Sequence, residues 1–80
     1  MNNNEEKLRK VLGDILQIDA DTISEDTSGD NVDKWDSQTH LNLVLALELE
    51  FDISFTEEQS VEILSYVLIK IVLGEHGVNF

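Results

Sequence analysis

Residues 36–52 read DSQTHLNLVLALELEFD and predict a long amphipathic helix over residues 37–50. Asp36 is a suitable N-cap, because its carboxylate can accept a hydrogen bond from a free backbone N–H of the first turn. At 100° per residue, three apolar side chains share one face of this helix, and we assign that face to the core. They are Leu43, Val44 and Leu47.

A second apolar stripe, formed by Leu41, Leu45 and Leu49, lies to one side of that face, next to Gln38 and Asn42. One core-facing stripe does not need these extra leucines. Either the helix is buried on two sides, or the second stripe is a docking surface. Because this helix must pack against several others, burial is the favoured interpretation.

The segments before this helix predict one further helix and a long loop. Residues 5–18 carry apolar residues at helical spacing. Residues 19–36 are rich in turn formers and predict a loop that is unusually long for so small a domain. Loops of this length are typically functional or disordered. Ile23, Val32 and Trp35 are the side chains expected to anchor it to the core.

Two shorter helices are predicted after residue 52. Thr56 and Gln59 have the spacing of a capping box, which starts a short third helix over about residues 57–63. Ser65 can cap a fourth helix over about residues 66–73, whose nearly continuous apolar residues predict cover on most sides. A strand is the alternative for this segment, but a single strand without a partner is unstable.

The expected fold is therefore all-α: a four-helix bundle with a long first loop and a short third helix. Its 80 residues suffice for a single domain over residues 1–80, and the tail through Phe80 is expected to fray.

The composition restricts the partners. The 17 acids and 5 bases give a net charge of −12, which argues against nucleic acid, because binding it requires Lys and Arg to neutralise phosphates. No apolar stretch is long enough for membrane insertion, and the N-terminus does not resemble a signal peptide. We expect a cytoplasmic monomer that attracts basic protein partners. The chain has no cysteine, so thiol chemistry would require an added group.

Ser37 is the most informative polar residue. Its hydroxyl stands at a helix N-terminus, where unpaired N–H groups and the positive end of the dipole would favour a phosphate ester. The simpler alternative is a serine that only supports the helix start. A catalytic serine is disfavoured: His40 lies one turn away, but no G-x-S-x-G turn is present.

The acidic loop raises calcium as a further possibility. Asp26, Ser28 and Asp30 have the spacing of the first three ligands of an EF-hand. The required glycine is replaced by Asn31, and the bidentate glutamate by Ser37. The pattern therefore predicts no dedicated metal site.

The residues around Ser37 resemble the acyl carrier protein family. In that family, D-S-L opens the second helix and an L-V-x-A-L-E-x-E-F-like run completes it. Here Asp36-Ser37-Gln38 is followed by LVLALELEFD at residues 43–52, in a chain of similar size, acidity and element order.

The resemblance implies a carrier and not an enzyme. Ser37 would receive 4′-phosphopantetheine from coenzyme A through a phosphopantetheinyl transferase, and Asp36 would help to position the magnesium ion of that transfer. The terminal thiol would then hold an acyl group as a thioester. Acyl-activating or acyl-transferring biosynthetic enzymes would be the other partners.

Two sets of residues follow from this expectation. Partner docking is assigned to Gln38, Leu41, Asn42, Leu45 and Glu48. An acyl pocket is assigned, from apolar character and inferred facing, to Leu43, Leu47, Phe51, Phe55 and Ile63.

Several residues depart from the family pattern. Gln38 replaces the usual leucine, Thr39 and Asn42 stand where fatty-acid carriers commonly have acids, and Trp35 stands where small residues are common. These departures favour a specialised carrier of a polyketide, nonribosomal, lipid or surface-polysaccharide pathway over a housekeeping carrier of fatty acid biosynthesis. The alternative is an acidic helical interaction module with a carrier-like fold and no prosthetic group.

Overall fold

The computed structural model describes residues 3–80 and has the expected all-α architecture. The four helices are α1 (Asn3–Leu16), α2 (Ser37–Phe51), α3 (Glu57–Glu62) and α4 (Tyr66–Glu75). A short 3₁₀ helix, Ala20–Thr22, lies in the long loop between α1 and α2. Within residues 3–80, no helix combines the length and apolar character that crossing a membrane requires.

The three predicted caps are all confirmed. Asp36 Oδ1 accepts a hydrogen bond of 2.8 Å from the Thr39 N–H at the start of α2. Thr56 and Gln59 form the reciprocal capping box of α3, with distances of 3.0 and 3.1 Å. Ser65 Oγ accepts a backbone N–H from the first turn of α4 at 3.1 Å. Local side-chain chemistry therefore fixes where these helices begin.

Two helices end at residues with left-handed backbone conformation. Gln17 has φ 56°, so α1 ends at Leu16, two residues before the predicted position. The Ile18 N–H then donates a hydrogen bond of 3.1 Å to the Gly13 carbonyl. Asp52 has φ 53° at the end of α2, where the Ile53 N–H closes on a carbonyl of the last turns. Such turns satisfy carbonyl groups that lack a helical partner.

The core lies between α1, α2 and α4, and the long loop contributes to it. Ile23 and Trp35 are buried and Val32 is half-buried, which confirms the three predicted anchors. The assigned core face of α2 is also confirmed. The buried apolar side chains are Leu8, Leu12, Leu16, Ile23, Trp35, Leu43, Val44, Leu47, Ile63, Tyr66, Ile69, Val72 and Leu73.

Backbone hydrogen bonds hold the middle of the long loop against the α3–α4 junction. The Gly29 N–H donates to the Leu64 carbonyl at 2.8 Å, and the Tyr66 N–H donates to the Thr27 carbonyl at 2.9 Å. The intervening Ser28 pairs antiparallel with Ser65. This part of the loop is thus fixed by pairing as well as by its apolar anchors.

The favoured burial of the second α2 stripe is wrong. Leu41, Leu45 and Leu49 are 65%, 60% and 85% exposed. The core of a domain this small does not extend far enough to enclose a helix on two sides. We call these three residues the leucine stripe.

The expectation that α4 is covered on most sides is also wrong. Its helical conformation is confirmed over the strand alternative, and Ile69, Val72 and Leu73 are buried. Three further apolar residues of the same helix are nevertheless exposed, namely Val67, Leu68 and Ile71. The single core takes one face of α4 and leaves the other in solvent.

The C-terminal tail is packed in place, so the expectation that it would fray is wrong. The Val78 N–H donates to the Leu73 carbonyl at 3.0 Å, and Val78 and Phe80 pack against the core. The Phe80 ring lies edge-on to the Phe51 ring, with centroids 6.5 Å apart. Aromatic packing of this kind supplies enough buried surface to fix a chain end.

Candidate functional site

Ser37 is the first residue of α2, and its side chain is exposed. Within residues 3–80, its hydroxyl takes part in no side-chain hydrogen bond. Asp36 performs the capping role instead, through its bond with the Thr39 N–H. That hydrogen bond lowers the pKa of Asp36, so the carboxylate beside Ser37 is ionised at neutral pH. The Ser37 hydroxyl is therefore exposed and is not used to cap the helix.

An open groove of about 550 Å³ lies beside Ser37. Three parts of the chain form it: the middle and end of the long loop, the first turns of α2, and the α3–α4 junction. Its apolar walls are Trp35, Leu41 and Leu64, and its polar lining includes Asp30, Asp36 and His40. Sequence patterns indicated Trp35 only as an anchor and gave no sign that Leu64 would come close to Ser37.

A hydrogen bond joins Trp35 and His40, which both line the groove. Trp35 Nε1 and His40 Nδ1 are 3.0 Å apart, and His40 Nε2 lies 2.6 Å from the Ser60 carbonyl oxygen of α3. The two ring planes are nearly parallel, inclined by 21°, with centroids 6.4 Å apart. His40 is half-buried, and its contacts extend well beyond its own helix.

The acidic loop uses its side chains to form turns. Ser28 Oγ accepts the Asp30 N–H at 3.3 Å, and Asn31 Oδ1 accepts the Ser28 N–H at 3.0 Å. Over the part of the chain that the structure describes, no three His, Asp or Glu side chains are grouped as metal ligands would be.

Comparison with known proteins identifies the relationship. No known family model matches the chain. It is, however, 35% identical over 60 residues to an acyl carrier protein of Buchnera aphidicola subsp. Schizaphis graminum (strain Sg), an alignment that covers 75% of this chain and 76% of that protein. The chain belongs to the acyl carrier protein family. Membership of this family favours a carrier role over catalysis.

The residues that the sequence assigned to partner docking lie mostly at the surface of the chain. Gln38 and Asn42 are exposed, as are Leu41 and Leu45 of the leucine stripe. Glu48 differs from them: it is half-buried, and its carboxylate accepts the Phe55 N–H at 2.9 Å. Glu48 thus stabilises the connector after α2, and the exposed residues of this set are two leucines and two side-chain amides.

The residues that the sequence assigned to an acyl pocket belong to the core or pack against it. Leu43, Leu47 and Ile63 are fully buried, and Phe51 and Phe55 are half-buried. None of the five lines the groove beside Ser37. An acyl chain could enter among them only by separating packed side chains, whereas the groove is already open.

Proposed function

We propose that this member of the acyl carrier protein family tethers acyl or related thioester intermediates on 4′-phosphopantetheine attached to Ser37, and presents them to partner biosynthetic enzymes. The exposed Ser37 hydroxyl at the start of α2, with Asp36 as the adjacent cap, is the observation that supports this function. The protein would act as a carrier and not as a catalyst.

The residues at the start of α2 fit such a group. The hydroxyl is accessible as the attachment atom, and the helix N-terminus places N–H groups and the positive end of the dipole beside the phosphate of the ester. Asp36 is ionised and would position the magnesium ion of the transfer. When attached, the group supplies the thiol that a chain without cysteine lacks.

The surface of α2 and α3 fits basic partner enzymes with apolar contact sites. Neither helix contains Lys or Arg, and α3 begins with Glu57 and Glu58. The proposed partners are a phosphopantetheinyl transferase, which transfers the arm from coenzyme A, and acyl-activating or acyl-transferring enzymes. Thr39 and Asn42, which stand where fatty-acid carriers commonly have acids, and Gln38, which replaces the usual leucine, support a specialised carrier that acts with dedicated enzymes as a cytoplasmic monomer.

Intact-protein mass spectrometry tests the attachment directly. The purified chain is incubated with coenzyme A and a promiscuous phosphopantetheinyl transferase, and a gain of one phosphopantetheine is expected. Ser37→Ala should show no gain. Ser54→Ala, which removes another exposed hydroxyl just after α2, should load like wild type. Unmodified wild-type protein after treatment with several competent transferases would refute the function.

The exposed leucine stripe also fits the alternative of an interaction module without a prosthetic group. The two functions differ in what Ser37 contributes. A carrier recovered from its native host should bear the added mass, whereas an interaction module should be unmodified and should bind its partner equally well after Ser37→Ala.

A further inference from the structure

The hydrogen bonds of His40 define which of its ring nitrogens carries the hydrogen. The indole Nε1–H of Trp35 can only donate, so His40 Nδ1 must accept at 3.0 Å. The hydrogen of the neutral ring is therefore on Nε2, which donates to the Ser60 carbonyl at 2.6 Å. Both nitrogens are used, and a single tautomer satisfies both partners.

This pair of bonds connects three separate parts of the chain. Trp35 ends the long loop, His40 belongs to the first turns of α2, and Ser60 belongs to α3. Trp35 is only 7% exposed, so its N–H would lose water without a compensating acceptor. His40 supplies that acceptor, which makes the indole orientation dependent on the histidine.

The orientation of Trp35 in turn shapes the groove. Its indole is a wall of the groove and lies two residues from the exposed Ser37 hydroxyl. Leu41 and Leu64 provide the other apolar surfaces, and Asp30 and Asp36 give the lining a negative charge. These walls favour an uncharged aliphatic segment and disfavour an anionic one.

We propose that His40 is a positioning residue that holds the Trp35 indole as a wall of the groove, and that the groove receives an uncharged aliphatic segment of the group tethered to Ser37. The second half of this inference rests on the proposed function, whereas the first half concerns the chain alone. The two halves are therefore tested separately.

The first test uses the unloaded Ser37→Ala chain, so it does not depend on attachment. Trp35 is the single tryptophan, and it gives one indole N–H signal in a proton–nitrogen NMR spectrum. His40→Ala should increase hydrogen exchange at this N–H by about fivefold, the factor expected for one hydrogen bond of ordinary strength. Its tryptophan emission should also shift to longer wavelength.

Two conservative variants separate the two bonds of His40. Asn places an amide oxygen near the position of Nδ1, so His40→Asn should preserve slow indole exchange. Gln places an amide N–H near the position of Nε2, so His40→Gln can keep the bond to Ser60 while exchange at Trp35 becomes fast. Circular dichroism confirms that each variant is folded. Equal exchange in folded wild type, His40→Ala and His40→Gln would overturn the positioning role.

The second test compares loaded and unloaded wild-type chain. Attachment at Ser37, verified by mass, should shift the indole N–H signal and the tryptophan emission. Leu64→Gln, which alters another apolar wall of the groove, should reduce that shift by at least about half. Attachment without any change at Trp35 would overturn the groove assignment while leaving the proposed function intact. Failure of attachment would instead refute the proposed function, and the first test would still decide the role of His40.

Discussion

Replacing Leu47 or Leu45 by alanine should show, through the free energy of unfolding, which apolar face of α2 is buried and which is exposed. Leu47 is fully buried and Leu45 is 60% exposed, although they lie only two residues apart on one helix. Removal of a fully buried leucine side chain costs about 3 kcal/mol, because the transfer free energy is lost and a cavity remains. For a domain of this size, the total free energy of unfolding is expected to be about 4–12 kcal/mol.

Thermal and urea unfolding followed by circular dichroism would measure the difference. Each kcal/mol lowers the Tm of a domain of this size by about 4–8 °C, so Leu47→Ala should lower it by more than about 10 °C. Leu45→Ala should change the free energy of unfolding by less than about 0.5 kcal/mol, since alanine also has the higher helix propensity. Similar losses in the two variants would refute the assignment of the buried and exposed faces.

The same variant tests the proposed acyl pocket. If an acyl chain enters among the core side chains near Leu47, it should fill part of the cavity that Leu47→Ala creates. Acylation should then raise the Tm of Leu47→Ala by more than it raises the Tm of wild type. Equal gains in wild type and variant would place the cargo outside the core, as the open groove beside Ser37 also permits.

Three further outcomes are expected. Replacing Leu41 and Leu45 together by Gln should raise the KM for loading by a transferase about tenfold, equivalent to about 1.4 kcal/mol of lost contact, with little change in Tm. Because the pKa of Asp36 is lowered on folding, its ionised cap stabilises the chain above its unfolded pKa near 4 and this contribution is lost as pH falls through the folded pKa. Wild type should therefore lose more Tm than Asp36→Asn between about pH 6 and pH 2. Thr56→Ala should lower the free energy of unfolding by about 1 kcal/mol in urea titrations, since the capping box of α3 is removed.

Features governed by neighbours in the sequence could be predicted. Asp36, Thr56 and Ser65 bond to N–H groups only three residues away, so the residue types and their spacing were sufficient to locate the helix starts. The core face of α2 followed in the same way from helical periodicity. Ser37 was singled out as the proposed attachment residue by this local setting together with the family resemblance.

Features governed by tertiary approach could not be predicted. Periodicity showed that Leu41, Leu45 and Leu49 share a face, but the presence or absence of a covering element depends on how the whole chain packs. The bond from His40 to Ser60 joins residues 20 positions apart, and the carbonyl of Leu64 pairs with the N–H of Gly29 in the long loop, far away in the sequence. No local signal encodes either contact.

Leu41 connects the two surfaces on which the proposed function depends. It is a wall of the groove beside Ser37, and it is also the first member of the exposed leucine stripe. A partner that docks on the stripe must therefore approach the groove at the point where the tethered group leaves the protein. Backbone pairing fixes the loop, and His40 is proposed to orient Trp35, so the groove is formed before a partner binds. Docking then does not include the entropy cost of ordering the groove. A preformed site of this kind would suit the proposed carrier role, in which partner enzymes meet the tethered group at the same place.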